Sequence, residues 1–149
     1  MEIMKDFKTY FTTKQLVCPH VLKKYSEAQI WSFFDKRILE TLAVLRTEII
    51  NKPMVINTSD GAFTQRGLRC NCCDLVRSQT SKNNPYLSAH VRGSGIDFVV
   101  PGMEAEQVRQ LIAKNTDLLP YPIRIENAVT WVHIDVDNFS KDKIQYFKG

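Results

Sequence analysis

Apolar residues recur at helical spacing in two long segments of the chain. Ser26 and Gln29 have the form of a capping box, and apolar residues then follow at steps of three and four to about Asn51. This pattern predicts one core-facing helix of about seven turns. A second amphipathic segment predicts a helix from about Met103 to Asn115.

Alternation of apolar and polar residues predicts several strands. Residues 54–57 and 94–100 each have strand character, and residues 123–127 and 130–136 are expected to form a closing hairpin. The connection over residues 58–89 is rich in Ser, Thr, Asn, Gly and Cys. Irregular segments of that length inside a domain are usually functional.

The order of these elements predicts an α+β fold. The crossovers are too irregular for a doubly wound parallel sheet, so we expect a largely antiparallel sheet with helices packed against it. The 149 residues, 44% of them hydrophobic, are enough for one domain spanning residues 1–149. Residues 1–25, with a short helix after Thr12 and Thr13 that Pro19 closes, are expected to form an N-terminal arm.

Charge and hydropathy exclude some classes of protein. Twenty Lys and Arg residues against sixteen Asp and Glu residues give a formal charge of +4 without a basic stripe, so we expect no nucleic-acid partner. No segment approaches the roughly 20 apolar residues of a membrane span, so no membrane insertion is expected. Charges interrupt the apolar residues of the N-terminus, which predicts cytoplasmic synthesis without a signal peptide. We also expect a monomer.

Two of the three histidines lie in segments that suggest metal binding. His90 and Asp97 are seven residues apart, which separates them by about 10 Å along a helix and roughly 20 Å or more along a strand. They can bind one ion only if the chain folds back, and Gly93 and Gly95 permit such a reversal. If His133 projects from the polar face of an adjacent strand, the three residues form a two-histidine, one-carboxylate set. That set suits Zn²⁺ with a fourth position left for water.

An open zinc site could support amide hydrolysis, because the ion acidifies water and polarises a carbonyl oxygen. A general base is also required. Glu126 is the best candidate, since it lies on the polar face of the neighbouring strand and a hairpin could bring it near His133. Asp135 is the rival, although it could equally orient an imidazole ring.

Two ordered motifs resemble those of a known peptidase family. Ser88-x-His90-x-x-Gly93-x-Gly95-x-Asp97 resembles the S-x-H-x-x-G-x-A-x-D signature of the M15 zinc peptidases, and Trp131-Val132-His133-Ile134-Asp135 is similar to the segment that supplies their third ligand. The family includes D-Ala-D-Ala carboxypeptidases, dipeptidases and phage endolysins with the Hedgehog/DD-peptidase fold. The resemblance covers most of the chain and implies that His90, Asp97 and His133 are zinc ligands.

The sequence departs from the family pattern at two places. Gly95 replaces the usual alanine, and Thr130 stands where members with a Glu-x-x-His pattern carry the base, so Glu126 remains an inference. The family also uses an arginine ahead of the histidine motif to hold a substrate carboxylate. Arg69 is the nearest counterpart here, with Arg66 as the second candidate.

The resemblance implies a zinc-dependent peptidase that hydrolyses an amide bond in the stem peptides or cross-bridges of bacterial peptidoglycan, as an endolysin or a carboxypeptidase. Such an enzyme could act on the cell wall after release from the cell. The main alternative is a noncatalytic Hedgehog-like module that keeps its zinc and binds a wall or protein ligand.

The four cysteines allow a further interpretation. Cys70, Cys72 and Cys73 could join Cys18 and His20 as the soft ligands of a structural zinc ion. Their spacing lacks the paired C-x2-C knuckles of zinc ribbons, and an intracellular chain keeps its thiols reduced. We therefore expect free thiols.

Overall fold

The computed structural model describes residues 7–149, which form an α+β fold built on a four-stranded mixed sheet. The expected α+β class is thereby confirmed, while the first six residues of the predicted arm lie outside the described residues. Over residues 7–149, none of the helices has the length and apolar character that crossing a bilayer demands.

The helices and helical turns of the described residues are short. After the helical residues 7–10, they are α1 (Thr13–Leu16), α2 (Pro19–Lys24), α3 (Glu27–Ser32), α4 (Lys36–Val44), a π-helical turn (Leu45–Ile49), α5 (Asp74–Arg77), α6 (Ala105–Lys114) and a 3-10 turn (Thr116–Leu118). The short helix expected after Thr12 and Thr13 is present as α1, but Pro19 begins a helix rather than ending one. Proline is tolerated at the first helical position because its missing N–H needs no partner there.

The single seven-turn helix predicted from Ser26 to Asn51 is wrong, because the helix breaks before Lys36. The Ser26 capping box starts α3 as expected, but Asp35 interrupts the helix and caps α4 through the backbone N–H of Arg37 at 2.9 Å. The N–H of Asp35 donates to the carbonyl of Gly93 at 2.9 Å. A cap and a tertiary hydrogen bond therefore override the continuous apolar pattern.

The sheet contains β1 (Gly95–Phe98), β2 (Ile123–Glu126), β3 (Val132–Asp135) and β4 (Ile144–Phe147), in the order β1-β3-β2-β4. Strand β3 pairs antiparallel with β1 and with β2, and β4 pairs parallel with β2. The expected hairpin is present, whereas β4 was not predicted. The strand expected at residues 54–57 is reduced to one antiparallel bridge between Val55 and Val99.

The two faces of the sheet have different chemistry. One face is apolar and fully buried, including Ile96, Phe98 and Ile134, and it packs in the same core as Val108 and Ile112 of α6. The opposite face carries Asp97, His133 and Asp135, which alternate with those apolar residues. The polar groups of this second face form the candidate site.

Candidate metal centre

Strand register brings the first two residues of the site together. Asp97 of β1 and His133 of β3 are cross-strand partners in the antiparallel pair. Side chains of such partners project from the same face, and here Asp97 Oδ1 lies 2.7 Å from His133 Nδ1. Two residues that are 36 positions apart in the chain thus become direct neighbours.

The third residue arrives through a tight reversal before β1. Gly93 has φ +70, and a Cβ there would lie 2.2 Å from the carbonyl oxygen of Phe33, so only glycine fits. Gly95 already belongs to β1, and a Cβ there would lie 2.6 Å from the Cβ of Ala89. Gly95 therefore gives Ala89 room to pack, and the turn places His90 beside Asp97.

Hydrogen bonding fixes the orientation of the His90 ring. Its Nδ1 lies 2.9 Å from the carbonyl oxygen of Gly67, which can only accept, so Nδ1 carries the proton. Nε2 is then the ring nitrogen left to face Asp97, and it lies 3.3 Å from Asp97 Oδ2. The backbone N–H of Asp97 donates to the carbonyl of Arg66 at 2.7 Å, so the loop over residues 66–67 holds both the His90 ring and the backbone of Asp97.

Asp135 supports His133 from the side away from Asp97. Asp135 Oδ2 lies 2.8 Å from His133 Nε2, and the carboxylate also accepts two hydrogen bonds from Arg124 at 2.8 and 2.9 Å. Asp135 is completely buried. A carboxylate behind a histidine is typical of metal sites, because it holds the tautomer whose other nitrogen faces the ion.

The pKa values of these groups reflect the close charges. Burial alone would lower the pKa of His133, but hydrogen bonds to Asp135 and Asp97 outweigh it and raise the pKa to about 9. Burial would raise the pKa of Asp135, yet its bonds to His133 and Arg124 lower it to about 2. The pKa of Asp97 is well below its usual range, because the two histidines outweigh the effect of burial.

The donor set fits a divalent metal ion. One ligand atom from each of His90, Asp97 and His133 lies within 4.8 Å of the others. Ligand atoms on a tetrahedral ion with bonds of about 2.0–2.1 Å are about 3.3 Å apart, and the distance from His90 Nε2 to Asp97 Oδ2 is 3.3 Å. The shorter contact at His133 Nδ1 is the hydrogen bond that a bound ion would replace. The structure therefore contains a group able to hold a metal.

A cavity of about 380 Å³ opens beside this group. His90, Asp97, His133 and Asp135 line it together with Glu126 and Arg69, so the cavity unites most of the residues that the sequence singled out. Glu126 reaches it through the hairpin register, in which Ile125 pairs with Ile134 and the next position sets Glu126 across from His133. A molecule bound in the cavity would therefore lie beside both the candidate metal ligands and Glu126.

The two candidate arginines lie in different surroundings. Arg69 lines the cavity and places Nη2 3.3 Å from Asp97 Oδ2. Arg66 instead donates to the carbonyl of Ile56 at 3.2 Å and stacks 3.7 Å from the ring centre of Phe63. Arg66 lines a neighbouring pocket that it shares with Arg69, Asp97 and Trp131.

Sequence reasoning missed several residues of the site. Arg124 lies within the strand expected at residues 123–127 but was not singled out, and its cross-strand partner is Asp135. Phe147 of the unpredicted β4 packs its ring against His133 at 5.5 Å and beneath Arg124 at 4.1 Å. Buried Arg109 donates to the carbonyls of Trp131 and Val129 at 3.1 and 3.2 Å, which fixes the hairpin loop. The pattern of α6 gave no signal for that role.

Comparison with known proteins adds no assignment to this geometry. No family model, no curated protein and no solved structure matches the chain.

Proposed function

We propose that this protein is a zinc-dependent peptidase with the Hedgehog/DD-peptidase fold that hydrolyses an amide bond in bacterial peptidoglycan peptides. The observation that carries the proposal is the convergence of His90, Asp97 and His133 at the wall of an open cavity. The likeness of the two motifs to those of M15 peptidases supports the same function.

The ligand roles follow from the hydrogen bonds around each side chain. His90 would bind through Nε2, since Gly67 occupies Nδ1, and His133 would bind through Nδ1, since Asp135 occupies Nε2. Two nitrogens and one carboxylate form a typical open zinc site. When bound, Zn²⁺ supplies a Lewis acid that acidifies water and polarises a carbonyl oxygen.

Glu126 is the proposed general base. It accepts a proton from the attacking water and returns it to the amine of the leaving group. Asp135 cannot share this task, because all of its acceptor positions face His133, Arg124 and the backbone N–H of Asp137. Asp135 is instead a positioning residue for His133.

Arg69 is the proposed anchor for a substrate carboxylate. Its guanidinium lines the cavity within reach of the metal ligands, and a planar pair of N–H donors matches a carboxylate. Arg66 is the less favourable choice because it lines the neighbouring pocket instead and its Nη1 already donates to the carbonyl of Ile56. Peptidoglycan stem peptides carry free carboxylates, which is consistent with such an anchor.

The proposal is tested with purified protein and defined muropeptides, analysed by mass spectrometry with and without a chelator. We expect cleavage that the chelator abolishes and zinc restores. Glu126→Gln should retain zinc and lose about 10²–10⁴-fold in turnover. Glu104→Gln, an exposed carboxylate on the N-terminal side of α6, is the control and should leave turnover unchanged.

One result would favour the noncatalytic module instead. If the wild type binds zinc and muropeptides but cleaves none of them, and Glu126→Gln binds equally well, the protein recognises the wall without hydrolysing it.

A further inference from the structure

A second group of metal-binding side chains lies apart from the cavity. The structure brings together Cys18, His20, Cys70 and Cys73, whose ligand atoms all lie within 4.8 Å of one another. We call these four residues the cysteine cluster. We propose that the cysteine cluster binds a structural Zn²⁺ ion that ties the N-terminal helices to the loop carrying Arg69.

The distances within the cysteine cluster match a tetrahedral ion. Bonds of about 2.3 Å to sulfur and 2.0–2.1 Å to nitrogen give separations of about 3.8 Å between sulfurs and 3.6 Å between sulfur and nitrogen. Cys70 Sγ lies 3.9 Å from Cys73 Sγ and 3.5 Å from His20 Nδ1, and Cys73 Sγ lies 3.8 Å from His20 Nδ1. A disulfide would require about 2.05 Å between sulfurs, and all four cysteines are free thiols.

The local backbone positions the two pairs of the cysteine cluster, which are Cys70 with Cys73 and Cys18 with His20. Cys70 and Cys73 flank a turn in which the N–H of Cys73 donates to the carbonyl of Cys70 at 3.2 Å. The N–H of Cys72 also points at Cys70 Sγ, at 3.3 Å. An N–H aimed at a sulfur stabilises the thiolate that a metal requires. Cys18 and His20 come from the residue that caps α2 and from its first turn.

Backbone hydrogen bonds between residues 16–18 and residue 68 hold the two pairs of the cysteine cluster next to each other. The N–H of Leu68 donates to the carbonyl of Leu16 at 2.7 Å, and the N–H of Cys18 donates to the carbonyl of Leu68 at 3.0 Å. Gly67 permits this approach, since a Cβ there would lie 2.0 Å from the carbonyl oxygen of Leu16. The four side chains therefore meet without rearrangement of the backbone.

The composition of the cysteine cluster favours a structural zinc ion. Three thiolates and one imidazole complete a four-coordinate site and leave no open position for substrate. Cys18 and Cys73 are buried, Cys70 is half-buried and His20 is exposed, so the ion would lie at the edge of the core. The fourth cysteine, Cys72, is exposed and lies outside the cluster.

One loop connects the cysteine cluster to the candidate metal centre. The loop over residues 66–69 supplies the carbonyls that hold Asp97 and His90, and the N–H of Arg69 donates to the carbonyl of His90 at 3.2 Å. Cys70 directly follows this loop. A metal at the cysteine cluster would therefore hold in place the loop over residues 66–69, which orients the candidate metal centre.

Metal analysis of variants tests the proposal. Purified wild type should contain one more equivalent of zinc than the Cys70→Ser, Cys73→Ser double variant, whereas Cys72→Ser should match the wild type. With Co²⁺, the wild type and His90→Ala should both show a thiolate-to-cobalt charge-transfer band that the double variant lacks. His90→Ala removes a ligand of the candidate metal centre and leaves the cysteine cluster intact. The band therefore tests the cysteine cluster independently of the proposed peptidase activity.

A footprint on the wild type keeps the test valid if the double variant does not fold. Iodoacetamide should label Cys70 at least about tenfold more slowly with zinc than after chelation, because a metal-bound thiolate is not free to react. Cys72 should react at the same rate in both conditions. Equal labelling of Cys70 with and without zinc, or no thiolate band in the wild type, would overturn the proposal.

Discussion

Replacing Asp135 by asparagine should weaken zinc binding at the candidate metal centre without removing a ligand. Asp135 Oδ2 accepts from His133 Nε2 and from Arg124, and Oδ1 accepts from Arg124 and from the N–H of Asp137. Every neighbour is thus a donor. Whichever way the amide of Asp135→Asn turns, its NH₂ group faces another donor.

The size of the effect follows from this conflict. Removing a carboxylate behind a metal-bound histidine typically costs 10- to 100-fold in metal affinity. Because no orientation of the amide satisfies all of its partners, we expect the upper end, about 100-fold or about 2.7 kcal/mol. The control is Asp137→Asn, which removes a carboxylate that pairs with partly exposed Arg92 and does not line the cavity. That change should alter zinc affinity by less than about threefold.

Competition against a chromophoric zinc chelator at neutral pH measures the zinc affinity of the wild type and of each variant. The binding step that is missing in His90→Ala identifies the candidate metal centre and separates it from the cysteine cluster. If Asp135→Asn folds as the wild type does by circular dichroism and binds zinc within threefold of it, the assigned role of Asp135 is wrong.

Three further changes test other parts of the structure. Gly93→Ala should destabilise the fold by several kcal/mol more than Gly102→Ala in urea denaturation, since both positions have positive φ (+70 and +84) but only Gly93 faces a backbone oxygen at 2.2 Å; equal losses would refute the steric argument. In metal-free protein, the pKa of His133 is raised to about 9 from 6.5. Protonated His133 therefore stabilises the folded state fully below pH 6.5, and this contribution is lost as the pH rises through 9. The difference in unfolding free energy between wild type and His133→Gln should accordingly change by about 3 kcal/mol over that range, and a constant difference would contradict it. Arg69→Lys should raise the KM for a carboxylate-bearing peptide about tenfold or more, and Arg66→Lys should change it by less than about threefold; the reverse order would make Arg66 the anchor.

The predicted hairpin and the meeting of the three metal-site residues follow from local patterns. Alternation in residues 130–136 places His133 and Asp135 on one face, and glycine at position 93 allows the chain to return beside β1. Period-two alternation is a strong signal because one slip would expose the whole apolar face. The side of the sheet that bears the site could therefore be predicted from the sequence.

Other features depend on contacts between distant segments and leave no comparable signal. The break before α4 arises because the N–H of Asp35 meets Gly93, which local periodicity cannot register. Strand β4 is half-exposed and is recognised only through its parallel pairing with β2. The sequence offered a shared site of Cys18, His20, Cys70, Cys72 and Cys73 only as an alternative, because the two segments meet through a distant bridge between Val17 and Leu68 that local patterns do not reveal.

The most direct test of the central claim is a crystal structure of the zinc-loaded protein with anomalous data collected at the zinc edge. The account predicts an anomalous peak about 2.0–2.2 Å from His90 Nε2, a carboxylate oxygen of Asp97 and His133 Nδ1, facing the cavity. A fully zinc-loaded crystal with no peak among these three atoms, and with His133 still hydrogen-bonded to Asp97, would contradict it.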